Sequence, residues 1–195
     1  MARTPDIKAK MIRTAAALFR QRGYNGVGLT ELLTASDAPK GSFYYHFPGG
    51  KEQLAEAAVR YAGQGVGRLI DETLQSAPDL STGIRMLAEA IAEWHEKTGY
   101  LEGCPITSVV LDTVPQSEAI STAVRAVFAD WEQRMVAHAR RFGDNGFNHA
   151  DGLRLLMLIE GAWILARAYR SKDPMLSAAE FFIASLSKDE ARLRP

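Results

Sequence analysis

The stretch Pro39–Glu52, PKGSFYYHFPGGKE, decides the fold. Phe43 and Phe47 lie four residues apart and therefore share one face of a helix. The other faces carry basic and hydrogen-bonding side chains, namely Lys40, Ser42, Tyr44, Tyr45 and His46. Such a surface suits a DNA groove, whereas a helix whose tyrosines only extend from the core to solvent would show the same pattern.

Two shorter patterns upstream decide between these alternatives. The first helix is predicted from the apolar spacing of Ile7, Met11, Ala15, Leu18 and Phe19, with Thr4 as its N-cap and Gly23 as its end. The second is predicted from Leu29, Leu32 and Leu33, and ends near Asp37, a residue type that tolerates left-handed backbone. The aromatic helix is then the third, beginning at Pro39. Two short helices joined by a tight turn and braced by a third predict a helix-turn-helix.

The motif Lys40–Phe47 (KGSFYYHF), with Lys51-Glu52 after it and Leu18-Phe19 and Gly23-Tyr24 before it, resembles the TetR family of bacterial transcriptional regulators. The resemblance covers roughly residues 5–60. Gly49–Leu54 and Gly103–Pro105 are similar to a subgroup of lincomycin-resistance and flavonoid-responsive repressors. The family commonly has Gly where Asp37 stands and a capping Ser or Thr where Pro39 stands.

DNA binding is accordingly predicted for eight residues, with Lys51 expected to hold a phosphate at the start of the fourth helix. They are Thr30, Lys40, Gly41, Ser42, Tyr44, Tyr45, His46 and Lys51. The charge distribution favours the same end of the chain. Net charge is zero, but residues 1–60 hold nine Lys or Arg against five Asp or Glu, and the remainder is correspondingly acidic. A solvated charged face would also account for the basic first helix.

The rest of the chain is predicted to be helical, giving an all-α fold of about nine helices. Residues 1–50 form the predicted DNA-binding domain and residues 51–195 the effector-binding and dimerisation domain. The predicted helices of the second domain are 51–76, 81–97, a short element in 104–114, 117–142, 149–169 and 177–186. Gly63, Gly65 and Gly67 interrupt the first of these, and either close approach of another helix or a flexible junction explains them.

The TetR resemblance also implies a homodimer, a double-stranded DNA operator and a small-molecule inducer of unknown identity. The last two helices would form the dimer interface, with Leu156, Phe181, Phe182 and Leu186 as its predicted residues. The effector pocket is predicted from Trp94, Cys104, Phe128, Trp131, Met135, Met157, Glu160 and Trp163, with Glu160 as the polar anchor. Each of these residues would equally serve as plain core.

Other classes of protein are disfavoured. The four histidines show no metal-ligand spacing and no link to a Ser or Cys nucleophile, so no catalytic residue, metal or cofactor is predicted. Cys104 is the only cysteine in the sequence, so an intrachain disulfide is impossible. No secretory signal and no run of about 18–20 apolar residues is found, which predicts a cytoplasmic protein without a membrane partner. The alternative is a helical adaptor or small-molecule-binding protein without DNA function, which leaves the basic N-terminal segment unexplained.

Overall fold

The computed structural model describes the backbone of residues 6–192 and the side chains as far as residue 186. Nine α-helices and no strand occur in that range, which confirms the predicted all-α class. They are α1 (Ile7–Arg22), α2 (Leu29–Ser36), α3 (Lys40–His46), α4 (Gly50–Ser76), α5 (Leu80–Lys97), α6 (Thr107–Thr113), α7 (Glu118–Arg141), α8 (His149–Tyr169) and α9 (Asp173–Arg192).

Local signals fix the ends of α1–α3. The predicted cap Thr4 lies outside the described residues, and Asp6 caps α1 by accepting a hydrogen bond from the backbone N–H of Ala9 at 3.2 Å. Gly23 ends α1 with φ 72°, and Asp37 ends α2 in the left-handed conformation, both as predicted. Pro39 stands at the N-cap of α3, one position before the helix, and supplies no side-chain cap.

The later helices follow the predicted pattern with shifted ends. Asp79 caps α5 through the backbone N–H of Thr82 at 2.7 Å, so the helix begins one residue early. The bounds of α8 match the prediction, and a capping box between Asn148 and Asp151 fixes its start. α9 begins at Asp173, earlier than the predicted residue 177, and it packs against α8 and α5.

The chain divides into two compact units at positions that differ from the predicted boundary at residue 50. One unit holds the chain up to Gly65 together with Cys104–Phe128, and the other holds Val66–Gly103 and the chain from Ala129 onward. The first unit therefore combines α1–α3 and the start of α4 with α6 and the start of α7. A division of this kind depends on contacts between distant segments, which no local sequence signal reveals.

Close packing against α7 is found at two of the three glycines in the interior of α4, Gly63 and Gly67. A Cβ added at Gly63 would lie 2.6 Å from both Cγ atoms of Val127, within the first unit. A Cβ added at Gly67 would lie 2.9 Å from Nε of Arg134, within the second. α7 thus lies close to α4 at both positions. At Gly63 a side chain would overlap the branched Val127, whereas at Gly67 the end of the flexible Arg134 side chain would have to move.

Candidate nucleic-acid interface

The inward face of α3 is aromatic. Phe43 and Phe47 are fully buried, as predicted, and their ring centroids lie 5.7 Å apart. Each buried aromatic side chain removes a large apolar area from water, so the pair fixes the rotation of a helix only seven residues long. The orientation of the outer face follows from this anchoring.

The outer face of α3 carries the predicted DNA-binding side chains. Tyr45 is 82% exposed, Tyr44 is 46% exposed, and Lys40 and Gly41 are exposed beside them. The rings of Tyr45 and His46 meet edge to face at 5.0 Å, which restrains the tyrosine. Ser42 and His46 are half-buried.

A groove of about 630 Å³ separates α2 from α3, and Thr30, Lys40 and Tyr44 are among the residues that line it. Thr30 is exposed on α2, so the groove joins the two helices of the motif into one surface that carries both polar and apolar side chains. The exposed carboxylate of Asp37 also borders the groove, and Lys10 lies 3.5 Å from it. An exposed pair of this type contributes little to stability, but it offsets a charge that would repel phosphate.

Lys51 makes contacts within its own unit. Its ammonium donates a hydrogen bond to the carbonyl oxygen of Tyr24 at 2.7 Å and lies 4.0 Å from the Tyr24 ring centroid. Burial lowers the pKa of Lys51, and the nearby charge of Asp112 partly opposes that shift. The side chain therefore contacts a residue of its own unit 27 positions away, and its contact with a phosphate stays a prediction.

The predicted effector residues are distributed over both units. Cys104 and Phe128 belong to the first unit, and the other six belong to the second. Within the second unit Trp131, Met135 and Trp163 are buried and Glu160 is half-buried. Trp94 and Met157 have about half of their surface exposed in the single chain, and their assignment to the effector pocket stays a prediction.

The predicted dimer residues also separate into two sets. Phe181 is 67% exposed, and Leu156 and Leu186 are half-buried. Phe182 is 1% exposed, and its ring packs edge to face on Phe147 at 6.2 Å. Phe182 is therefore core of its own chain, and its assignment to the exposed interface is corrected. A groove of about 380 Å³ runs along this surface, lined by Arg154, Met157, Leu158, Phe181, Phe182 and Ser185.

One buried polar residue was missed. His95 is 1% exposed, and neither ring nitrogen has a hydrogen-bond partner among the described residues. The rings of Tyr100 and Trp163 lie 5.0 and 5.7 Å from it. Burial, followed by the charge of Arg167, lowers the pKa of His95. Its position four residues after Ile91, in the apolar stripe of α5, is the sequence signal that would have identified it.

Metal-binding and membrane-spanning features are absent from the described residues. Among these residues no group of three or more His, Cys, Asp or Glu side chains is arranged to hold a metal ion. Within the same part of the chain, no helix combines the length and the apolar character needed to cross a bilayer.

Comparison with known proteins relates these features to a family. Residues 11–58 match the family described as "Bacterial regulatory proteins, tetR family", and residues 81–181 match "Transcriptional regulator LmrA/YxaF-like, C-terminal domain". The uncharacterized HTH-type transcriptional regulator YxaF of Bacillus subtilis (strain 168) is 34% identical over 179 residues, covering 90% of this chain and 92% of that protein. LmrA of the same organism is 30% identical, covering 88% and 92%.

Solved structures share the fold. The reduced form of Escherichia coli NemR superposes with a TM-score of 0.81 at 24% identity, covering 91% of this chain and 95% of that one. A cysteine mutant of the TetR-family regulator CifR, complexed with 26-bp double-strand operator DNA, gives a TM-score of 0.76 at 22% identity, covering 94% and 98%. The chain belongs to the TetR family of bacterial transcriptional regulators, in the group described as LmrA/YxaF-like.

Proposed function

We propose that the protein is a cytoplasmic, homodimeric transcriptional repressor that binds a palindromic operator through α3 and is released by a small inducer. The observation that carries the proposal is the difference between the two faces of α3, one buried and aromatic, the other exposed and able to form hydrogen bonds. Buried Phe43 and Phe47 anchor the helix, and Tyr44, Tyr45 and Lys40 project from its other side. The DNA-bound relative CifR supports an operator as the partner of this surface.

The chemistry of the exposed side chains suits a major groove. Tyrosine hydroxyls donate and accept hydrogen bonds at base edges, and their rings contact thymine methyl groups. Lys40 supplies positive charge toward phosphate, and Thr30 and Ser42 supply hydroxyls for the backbone of the duplex. Because α3 has only seven residues, one copy reads few base pairs. A second copy about 34–36 Å away, in the next major groove, would complete the site.

The outward faces of α8 and α9 support dimerisation. Six large hydrophobic side chains are exposed there among the described residues: Leu153, Met157, Ile164, Leu165, Tyr169 and Phe181. Apolar side chains concentrated on neighbouring helices are characteristic of an interface, and a two-fold pairing of α8 and α9 would bury them in a four-helix arrangement. Leu156 and Leu186 border this surface in the proposal.

The proposed inducer is apolar and aromatic, and it binds in the helical body. Buried Trp131, Trp163 and Met135 in the second unit provide suitable walls. An adaptor that binds only proteins is disfavoured by the exposed tyrosines next to a basic N-terminal segment.

Selection of DNA from a random pool by the purified full-length protein tests the proposal. We expect enrichment of one palindromic sequence whose half-sites lie about one helical turn apart, retained at salt concentrations that release random DNA. Enrichment of no sequence, together with equal loss of all DNA as salt rises, would contradict a repressor function. Retention of a protein partner without DNA would favour the adaptor.

A further inference from the structure

The turn that joins α1 to α2 is held by a carboxylate from a distant helix. The backbone N–H of Asn25 donates a hydrogen bond to Oδ2 of Asp112 in α6 at 2.8 Å, across 87 positions of sequence. Gly23, with φ 72°, lies beside the same oxygen, because a Cβ added there would be 2.7 Å from Oδ2. The turn and the carboxylate therefore fit together only with glycine at position 23.

Tyr24, which lies between Gly23 and Asn25, is held from the other side of the turn. Lys51 of α4 donates to the Tyr24 carbonyl and covers the Tyr24 ring. The hydroxyl of Ser108, also in α6, lies 3.4 Å from the carbonyl oxygen of Arg20 at the end of α1. Residues 23–25 are thus fixed between an ammonium and a carboxylate, all within the first unit.

This turn determines where the helix-turn-helix begins. α2 starts at Leu29, four residues after Asn25, and Thr30 follows at once. α3 follows α2 after only three residues, so any displacement of the turn passes to both helices. A negative charge in the unit that faces DNA would by itself weaken phosphate binding. The presence of Asp112 at this position thus points to a geometric role.

We propose that Asp112 is a positioning residue for DNA binding, which with Lys51 fixes residues 23–25 so that α2 and α3 match the groove. Asp112 acts through the backbone of Asn25 and has no direct contact with DNA in this account. The inference rests on the proposed function, since it concerns affinity for an operator.

The variant Asp112→Ala tests the proposal because charge and geometry predict opposite changes in DNA affinity. Removal of a negative charge would raise the affinity, whereas displacement of the turn would lower it. Loss of the hydrogen bond to a charged acceptor should lower affinity for the DNA fragment selected by the wild-type protein about tenfold. Affinity for poly(dI-dC) should stay unchanged or rise slightly. Glu118→Ala is the matched control, because it removes an exposed carboxylate of the same unit that is paired with Arg125 and has no contact with the turn. Its affinity for both DNAs should rise slightly.

Lys51→Met is the second test of the proposal, since it keeps the apolar part of the side chain and removes the ammonium. The proposal predicts weaker binding to the selected fragment with an unchanged dependence on salt, whereas a phosphate contact predicts a slope lower by about one. Hydrogen exchange at the Asn25 amide should accelerate in Asp112→Ala while the melting temperature of the protein stays close to that of wild type.

The outcomes separate the two proposals. Faster exchange at Asn25 with unchanged affinity for the selected fragment would overturn the positioning role and leave the repressor function intact. A rise in affinity for both DNAs in Asp112→Ala, equal to that in Glu118→Ala, would overturn it in the same way. If the wild-type protein selects no DNA, both proposals fail.

Discussion

α3 and α8 distribute their side chains in opposite ways. α3 buries its phenylalanines and exposes tyrosines and a lysine, whereas α8 buries Asp151 and exposes Met157 and Ile164. A polar, aromatic outer face suits a partner made of phosphates and base edges. An apolar outer face suits a partner that is equally apolar, such as a second copy of the same helix. The two surfaces therefore suit different partners, in line with the proposed function.

The largest expected effect separates two neighbouring phenylalanines of α9. Phe182→Ala should lower the free energy of unfolding by about 3–5 kcal/mol, because it leaves a cavity beside Phe147. Phe181→Ala should change it by less than about 0.5 kcal/mol in dilute protein, since that side chain is mostly exposed. Chemical denaturation of both variants at low protein concentration measures the difference.

Sedimentation of the same two variants measures whether each residue also contributes to dimerisation. Phe181→Ala should weaken the dimer while the protomer remains folded. An intact dimer with this variant and with Met157→Glu would place the interface on another surface. Equal stability of the Phe181 and Phe182 variants would contradict the packing of α9.

The next effect concerns the closest approach of two helices. Gly63→Ala should destabilise the protein by about 1–3 kcal/mol, because its Cβ would overlap both methyl groups of Val127. Val127→Ala in the same chain should restore part of the loss, and a double-mutant cycle gives the coupling. Additive effects of the two changes would show that the glycine is required for another reason, such as bending of α4.

A smaller effect is expected at the buried face of α8, where Trp163 packs on His95. The pKa of His95 is below its ordinary value of 6.5, so the unfolded chain binds a proton more readily than the folded one. Stability linked to this group is therefore complete above about pH 6.5 and is lost as the pH falls toward the folded pKa. His95→Leu should remove that loss and stabilise the protein by about 1 kcal/mol at pH 7, since it takes out of the core two ring nitrogens that have no hydrogen-bond partner in the described part of the chain.

Thermal unfolding of wild type and His95→Leu between pH 5 and 8 checks this expectation. The two proteins should diverge as the pH falls. Parallel pH profiles would show that another group carries the linkage.

The features predicted correctly from the sequence depend on local signals. The ends of α1 and α2 depend on Gly23 and Asp37, whose backbone preferences can be recognised without tertiary contacts. The burial of Phe43 and Phe47 follows from helical spacing alone. The fold class and the outer face of α3 were therefore predictable.

Distant contacts explain what the sequence did not reveal. Phe181 and Phe182 are adjacent in one apolar run, and only the packing of α9 on α8 and α5 determines which of them is buried. Lys51 meets Tyr24 across 27 positions and Asn25 meets Asp112 across 87. Spacing along a helix carries no information about such pairs, so neither the contact of Lys51 with Tyr24 nor that of Asp112 with Asn25 could be predicted.

The most direct test of the central claim compares two exposed tyrosines of the first unit. Tyr45 lies on the outer face of α3, and Tyr61 is exposed on α4. Tyr45→Ala should reduce affinity for the selected DNA fragment to the level of random DNA, with the dimer still folded, whereas Tyr61→Ala should bind as wild type does. Fluorescence anisotropy with labelled fragment measures both. Wild-type affinity in Tyr45→Ala would contradict the assignment of α3 as the helix that reads DNA.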